Sequence, residues 1–267
     1  MAQNKWKLVW SEEFNYTGLP DPAKWSYEEG YLRNNESQYY TRDRLENARV
    51  EGGHLIIEGR KDNFPNPNYD AKGKGPATQP TLPYTAASIH TQGKSSWLYG
   101  RIEVRAKLPQ GKGVWPAAWM LGDNINDVGW PRCGEIDIME FVGHSPEVVH
   151  GTLHWGKSWR PEEKKASGTA FKTSRPVDDF HVYAVEWFAD RLDFYFDDTK
   201  FHTVTADEVI KSSGENPFSK PQYLILNLAL GGDWGKEIDD ANLPQKFYVD
   251  YVRVYQQEPA ADVQSNP

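Results

Sequence analysis

"CGEIDIMEFVG", residues 133–143, places three carboxylates, Glu135, Asp137 and Glu140, among Ile136, Ile138, Met139, Phe141 and Val142. Charges in apolar company are costly unless they are paired or put to use. The run reads as a strand, in which residues i and i+2 share a face and i+5 points the other way. Glu135 and Asp137 would then face one side while Glu140 entered the core, where an unpaired carboxylate is costly or is forced neutral. A β-bulge near Ile138 or Met139 removes the conflict, because one extra residue restores the alternation and returns all three acids to one face.

With the bulge, four effective strand steps separate the outer Cα atoms by ~13 Å. Glutamate side chains leaning together over a concave sheet can approach the ~5–5.5 Å that retaining glycoside hydrolysis requires. Two carboxyl groups that close resist joint ionisation, so one becomes a nucleophile and the other a proton donor. The competing reading is a solvated strand face, or acids paired with arginine or a metal. The number of acids, their spacing and the aromatic residues around them favour chemistry.

Working outward, "RIEVRAKL" (101–108) sets Ile102, Val104, Ala106 and Leu108 against Arg101, Glu103, Arg105 and Lys107. "GHLIIEGR" (53–60), "RLDFYFDD" (191–198) and "YVDYVRVYQ" (248–256) are also strand-like, with turn signals between them. One helix is expected, in "TADEVIKSSG", with Thr205 and Glu208 as a capping box and Gly214 as its stop. Many strands and few helices predict an all-β, antiparallel sandwich. The Pro-, Gly- and Asn-rich stretch 62–84 reads as one long surface loop. The expected organisation is a single domain over 1–257 followed by a flexible tail, 258–267.

The 267 residues carry a net charge of −8, and no Lys/Arg cluster tracks a phosphate backbone, which argues against nucleic acid and for a neutral ligand. Aromatic residues make up 13% of the chain, with 11 Trp, and suit both a core and a sugar platform. Cys133 is the single cysteine, so no internal disulfide forms, and its apolar neighbours predict a buried, inert thiol. No apolar run reaches membrane-spanning length, so no membrane partner is expected. The start, "MAQNKWKLVW", has no signal-peptide core, which fits either a cytosolic protein or one whose signal is missing from this sequence; the expectation is a secreted or periplasmic monomer.

"GEIDIMEFVG" resembles the signature of glycoside hydrolase family 16 in its bulged form, Glu-x-Asp-x-x-Glu. The extra residue, Met139, is similar to laminarinase-type members, whereas lichenases and xyloglucan-active members lack it. "LVWSEEFN" (8–15), "NNESQYYT" (34–41), "YTAASIHTQGK" (84–94), "GRIEVRAKLPQGKGVWPAAWML" (100–121), "HGTLHWG" (150–156), "LILNLALGGDWG" (224–235) and "FYVDYVRVYQ" (247–256) resemble endo-β-1,3-glucanases in the same order along nearly the whole chain. The resemblance implies a β-jelly roll with its substrate cleft on a concave sheet. It also implies Glu135 as nucleophile, Asp137 as assisting residue and Glu140 as acid/base; the spacing alone does not rank the two glutamates.

The resemblance further implies that Trp115 and Trp119 lie under a glucan chain, with Trp130 extending the platform. It implies His154 close to the acid/base, and Asn35 and Arg105 as ligands of sugar hydroxyls. No cofactor is required for catalysis. A structural Ca²⁺ is expected at Glu13, Gly53 and Asp250, whose carboxylate and carbonyl oxygens are suitable hard ligands. The expected substrate is a neutral β-1,3-glucan, with mixed-linkage β-1,3-1,4-glucan as a second. Rival readings are an agar-type galactan hydrolase or transglycosylase of the same family, a carbohydrate-binding jelly roll, and a metallohydrolase using His150, His154 and an acid.

Overall fold

The period-two patterns become paired strands. In Gly100–Lys107, Ile102, Val104 and Ala106 are fully buried while Arg101, Glu103 and Arg105 stay half-exposed, so one side of the strand faces the core and the other faces out. The computed structural model describes residues 6–258. They form two sheets. The seven-stranded sheet runs, in spatial order, Lys164–Lys172, Val148–Gly156, Glu135–Phe141, Val114–Gly122, Gln222–Leu230, Ser88–His90, Ser26–Glu28. The ten-stranded sheet is centred on Gly100–Lys107, Gln245–Gln257 and His54–Pro65. Pairing is antiparallel except between Tyr39–Tyr40 and Thr81–Ala86. The architecture is the expected antiparallel jelly-roll sandwich.

The two sheets share one core, in which Ile136, Ile138, Met139 and Phe141 of the acid strand pack in the same cluster as Val104, Tyr183, Val185, Val252 and Val254 of the facing sheet. The side chains on the other face of the seven-stranded sheet point away from this core, and they build the cleft. The expected helix is Ala206–Ser213. Thr205 and Glu208 form the reciprocal capping box, and Gly214 ends the helix in the left-handed region at φ 88°. Cys133 is buried, and burial pushes its thiol up to about 11.

The stretch 62–84 departs from expectation. Strand His54–Pro65 continues through its first four residues and the next strand begins at Thr81, leaving 66–80 as the connection. The pairs Phe64↔Leu82 and Pro65↔Thr81 extend the ladder. Leu82 is fully buried and Phe64 packs against Tyr39 with ring centroids 5.8 Å apart. The interspersed Pro and Asn residues mask this apolar anchoring in the sequence. Of the tail expected at 258–267, only Glu258 falls within the described residues.

Candidate active site

Strand Glu135–Phe141 carries the bulge where the alternation required one. Against the neighbouring strand, Asp137 pairs with Trp119 and the next pair is Met139↔Ala118. On the other side, the register runs Glu135↔His154, Asp137↔Thr152, then Glu140↔His150. Ile138 and Met139 are consecutive and both only 1% exposed, so two successive side chains enter the core. That doubled step brings Glu135, Asp137 and Glu140 onto one cavity of 410 Å³.

The adjoining strand, Val114–Gly122, lines the same cavity with alternate residues Trp115, Ala117, Trp119 and Leu121. Each glutamate is held by an indole. Trp130 Nε1 donates to Glu135 Oε2 at 2.8 Å, and Trp115 Nε1 donates to Glu140 Oε1 at 3.1 Å. Trp119 Nε1 instead donates to Asn227 Oδ1 at 2.8 Å; Asn227 donates to the Tyr40 hydroxyl at 2.9 Å, and Tyr40 donates to Glu36 Oε2 at 2.9 Å. This chain of bonds fixes the platform ring, and the Arg33 guanidinium covers it 4.9 Å from the centroid.

All three acids are held above the ordinary carboxylate range, chiefly by desolvation. The two glutamates differ in what opposes that rise. Glu135 is pulled back by the Trp130 hydrogen bond, the charge of Arg33, a hydrogen bond from Asp137 and the charge of Lys164. Glu140 has only the Trp115 bond to lower it, and the charge of Glu135 adds to its rise. Glu135 therefore ionises before Glu140. Asp137 is raised well above the ordinary range, by burial and by the charges of both neighbours, so it holds a proton and offers it to Glu135. This asymmetry ranks the glutamates, which spacing alone could not.

His154 stands beside the other end of the trio from the one expected. Register places it opposite Glu135, with Nε2 3.4 Å from Asp137 Oδ2 and 3.8 Å from Glu135 Oε1. His150 is the partner of Glu140, and its ring meets Trp234 edge-on at 4.8 Å. Burial, aided by Lys164, lowers His154 to about 4, so its imidazole is neutral near pH 7.

One expected sugar ligand lies elsewhere. Arg105 projects from the ten-stranded sheet, pairs with Asp250 at 2.5 Å and covers Phe180, so it is not in the cleft. The guanidinium in the cleft belongs to Arg33, held by Glu28. Asn35 is exposed and donates to Asp233 Oδ1 at 2.9 Å, tying the 34–36 turn to the loop after Leu230. Its neighbour Asn34 lines the cavity and donates to Glu36 Oε1 at 3.3 Å. Arg33, Asn34, Glu36 and Asn227 were not expected in the cleft from the sequence. The "RNNE" turn carries a signal for the first three, whereas Asn227 was hidden in an otherwise apolar strand.

At the expected calcium set, Arg253 donates to both Glu13 oxygens, at 3.0 and 2.9 Å, Asp250 pairs with Arg105 with His54 3.8 Å from its other oxygen, and Gly53 lies in the turn before strand His54–Pro65 at φ 80°.

The sequence model of glycosyl hydrolases family 16 matches residues 35–253. A beta-glucanase of Rhodothermus marinus is 44% identical over 259 residues, covering 94% of this chain and 85% of its own. A glucan endo-1,3-beta-glucosidase of Cryptopygus antarcticus is 37% identical over 268 residues, covering 94% of this chain and 93% of its own. The X-ray structure of the laminarinase from Rhodothermus marinus aligns with a TM-score of 0.83 at 41% identity, covering 97% of this chain and 100% of that one.

Proposed function

The chain belongs to glycosyl hydrolase family 16, and from that premise we propose that it is a retaining endo-β-1,3-glucanase acting on laminarin, with mixed-linkage β-1,3-1,4-glucan as a further substrate. The observation that carries the reading is the bulged strand that turns Glu135, Asp137 and Glu140 onto one cavity, with an indole N–H on each glutamate.

Ionised Glu135 attacks the anomeric carbon. Protonated Glu140 delivers its proton to the departing glycosidic oxygen. Ester formation removes the Glu135 charge that had raised Glu140, so Glu140 then accepts a proton from water, and that water releases the sugar with its β configuration. The Asp137 proton stabilises the Glu135 carboxylate before attack and as it departs from the ester. Trp115 offers a face on which a glucose ring stacks, and Trp119, whose ring Arg33 covers, lines the cavity beside it. Arg33 is bound by Glu28, which suits the cavity to an uncharged sugar rather than a sulfated one.

One chain supplies every group named, so the reaction needs no second subunit. A polymer substrate places the enzyme outside the cytoplasm, secreted or periplasmic. The test is a product profile on laminarin, barley β-glucan and agarose, with proton NMR of the first product from laminarin. β-Configured oligosaccharides are expected; an α product, or activity on agarose alone, overturns the reading.

A further inference from the structure

We infer that Glu135, Asp137 and His154 form a binding site for a divalent transition metal of the zinc type, and that its occupancy shuts down the cleft. The binding half stands on geometry alone; the inhibition half rests on the function proposed above.

One donor atom from each residue lies within 4.8 Å of the other two. His154 Nε2 is 3.4 Å from Asp137 Oδ2 and 3.8 Å from Glu135 Oε1. Tetrahedral zinc, with bonds of about 2.0–2.2 Å to nitrogen and oxygen, separates neighbouring ligand atoms by about 3.3–3.5 Å. The first distance already matches, and the second needs a side-chain movement of a few tenths of an ångström. As a hydrogen bond, 3.4 Å is long; as the edge of a coordination tetrahedron it is ordinary.

The donor atoms face one another, and the metal displaces the proton that Asp137 shares with Glu135. Asp137 is 3% exposed, and its Oδ2, which faces His154, has no hydrogen-bond partner. An unpartnered buried carboxylate oxygen is a costly feature that a cation would relieve. His154 Nε2 is the imidazole atom that faces both carboxyl groups. Trp130 holds Oε2 of Glu135, which leaves Oε1 directed at the imidazole, the kind of outer-shell bond that orients a ligand. The backbone beneath is rigid, because Glu135 and His154 are directly paired on adjacent strands. One imidazole with two carboxylates suits zinc, copper or nickel better than calcium. Glu135 and Asp137 both line the cleft cavity, so the metal would lie at its wall.

A metal there binds Glu135 and removes it as a nucleophile, so metal and glucan hydrolysis exclude one another. The test is calorimetric titration of the chelator-treated full chain with zinc chloride. One zinc per chain is expected. His154→Ala and the shape-preserving Glu135→Gln should each weaken binding at least about tenfold, while exposed His144→Ala keeps the wild-type affinity. Circular dichroism identifies any variant that has failed to fold, and cobalt titration of the wild type, read by its visible absorption, reports the same site without a substitution. Zinc should also inhibit laminarin hydrolysis, with EDTA restoring it. The inference is overturned if one zinc does not bind saturably, if affinity is unchanged in both folded variants, or if hydrolysis continues undiminished at saturating zinc. A chain that binds zinc through these residues but leaves laminarin intact would refute the glucanase reading and leave the metal site standing.

Discussion

Trp130 holds Glu135 through a 2.8 Å hydrogen bond from its indole Nε1 to carboxylate Oε2. A donor on a carboxylate favours the charged form, which is the form a nucleophile must have. Trp130→Phe keeps the ring and removes the donor. With that pull gone Glu135 holds its proton to higher pH, so the acid limb of kcat/KM on laminarin should move to higher pH. Losing a hydrogen bond to a charged group at a partly exposed site costs about 1.5 kcal/mol, or about tenfold in rate. A tenfold loss with an unmoved acid limb would show that the bond positions the ring rather than tuning the acid.

Glu140 is assigned the proton, and the assignment separates it from Glu135 in one pair of variants. Glu140→Gln should lower laminarin hydrolysis by about 10²–10⁴-fold, the usual worth of a general acid. Formation of the glycosyl-enzyme from an aryl β-glucoside with an acidic phenol needs no proton, so that step should stay near wild type, read as a burst of phenol. Glu135→Gln should abolish both. A burst retained in Glu135→Gln and lost in Glu140→Gln would reverse the two roles.

Met139 is the extra residue of the bulge, and it fills the core at 1% exposure. Deleting it converts Glu-x-Asp-x-x-Glu to plain alternation, which still leaves all three acids on the cleft face. Both registers then run without a shift, because the bulge sets two residues against one step of Val114–Gly122 and three against two steps of Val148–Gly156. Loss of a buried Met side chain costs about 2 kcal/mol at the low end of the large-to-small range, or several degrees in Tm. Activity should fall without vanishing. A folded but fully inactive deletion variant would mean that the bulge sets the carboxyl spacing as well as the face.

How much of this was legible in the sequence depends on how local each cause is. The bulge followed from a conflict within seven residues, between the positions of Glu135 and Asp137 and that of Glu140, and the structure has it there. The capping box at Thr205 is equally local. Arg105 was misplaced because its alternation is the same whichever sheet its strand joins, and sheet membership is decided by distant partners, here Val182 and Tyr251. His154 was set beside the wrong acid because antiparallel register fixes it, and no spacing within either strand reveals register. Asn227 lies in a strand buried throughout its length, and only its contact with Trp119 marks it as part of the cleft.

Asp137 is a buried acid flanked by two others and should trade stability for activity. Burial and the two neighbouring charges raise its folded-state pKa well above the unfolded value. For an acid shifted in that direction the native state binds more protons than the unfolded chain, so stability falls as pH rises from the unfolded value, about 4, towards the folded one. Asp137→Asn removes the titrating group and keeps the shape and a hydrogen-bond donor towards Glu135. The variant should therefore be more stable than the wild type, by a margin that is small near pH 4 and grows through pH 7. Its laminarin activity should drop, because the amide cannot follow changes in Glu135 charge with its proton. Thermal unfolding of both proteins at pH 4, 5.5, 7 and 8 measures the margin. A constant or shrinking difference would mean that Asp137 is ionised in the folded enzyme and that the proton shared with Glu135 is absent.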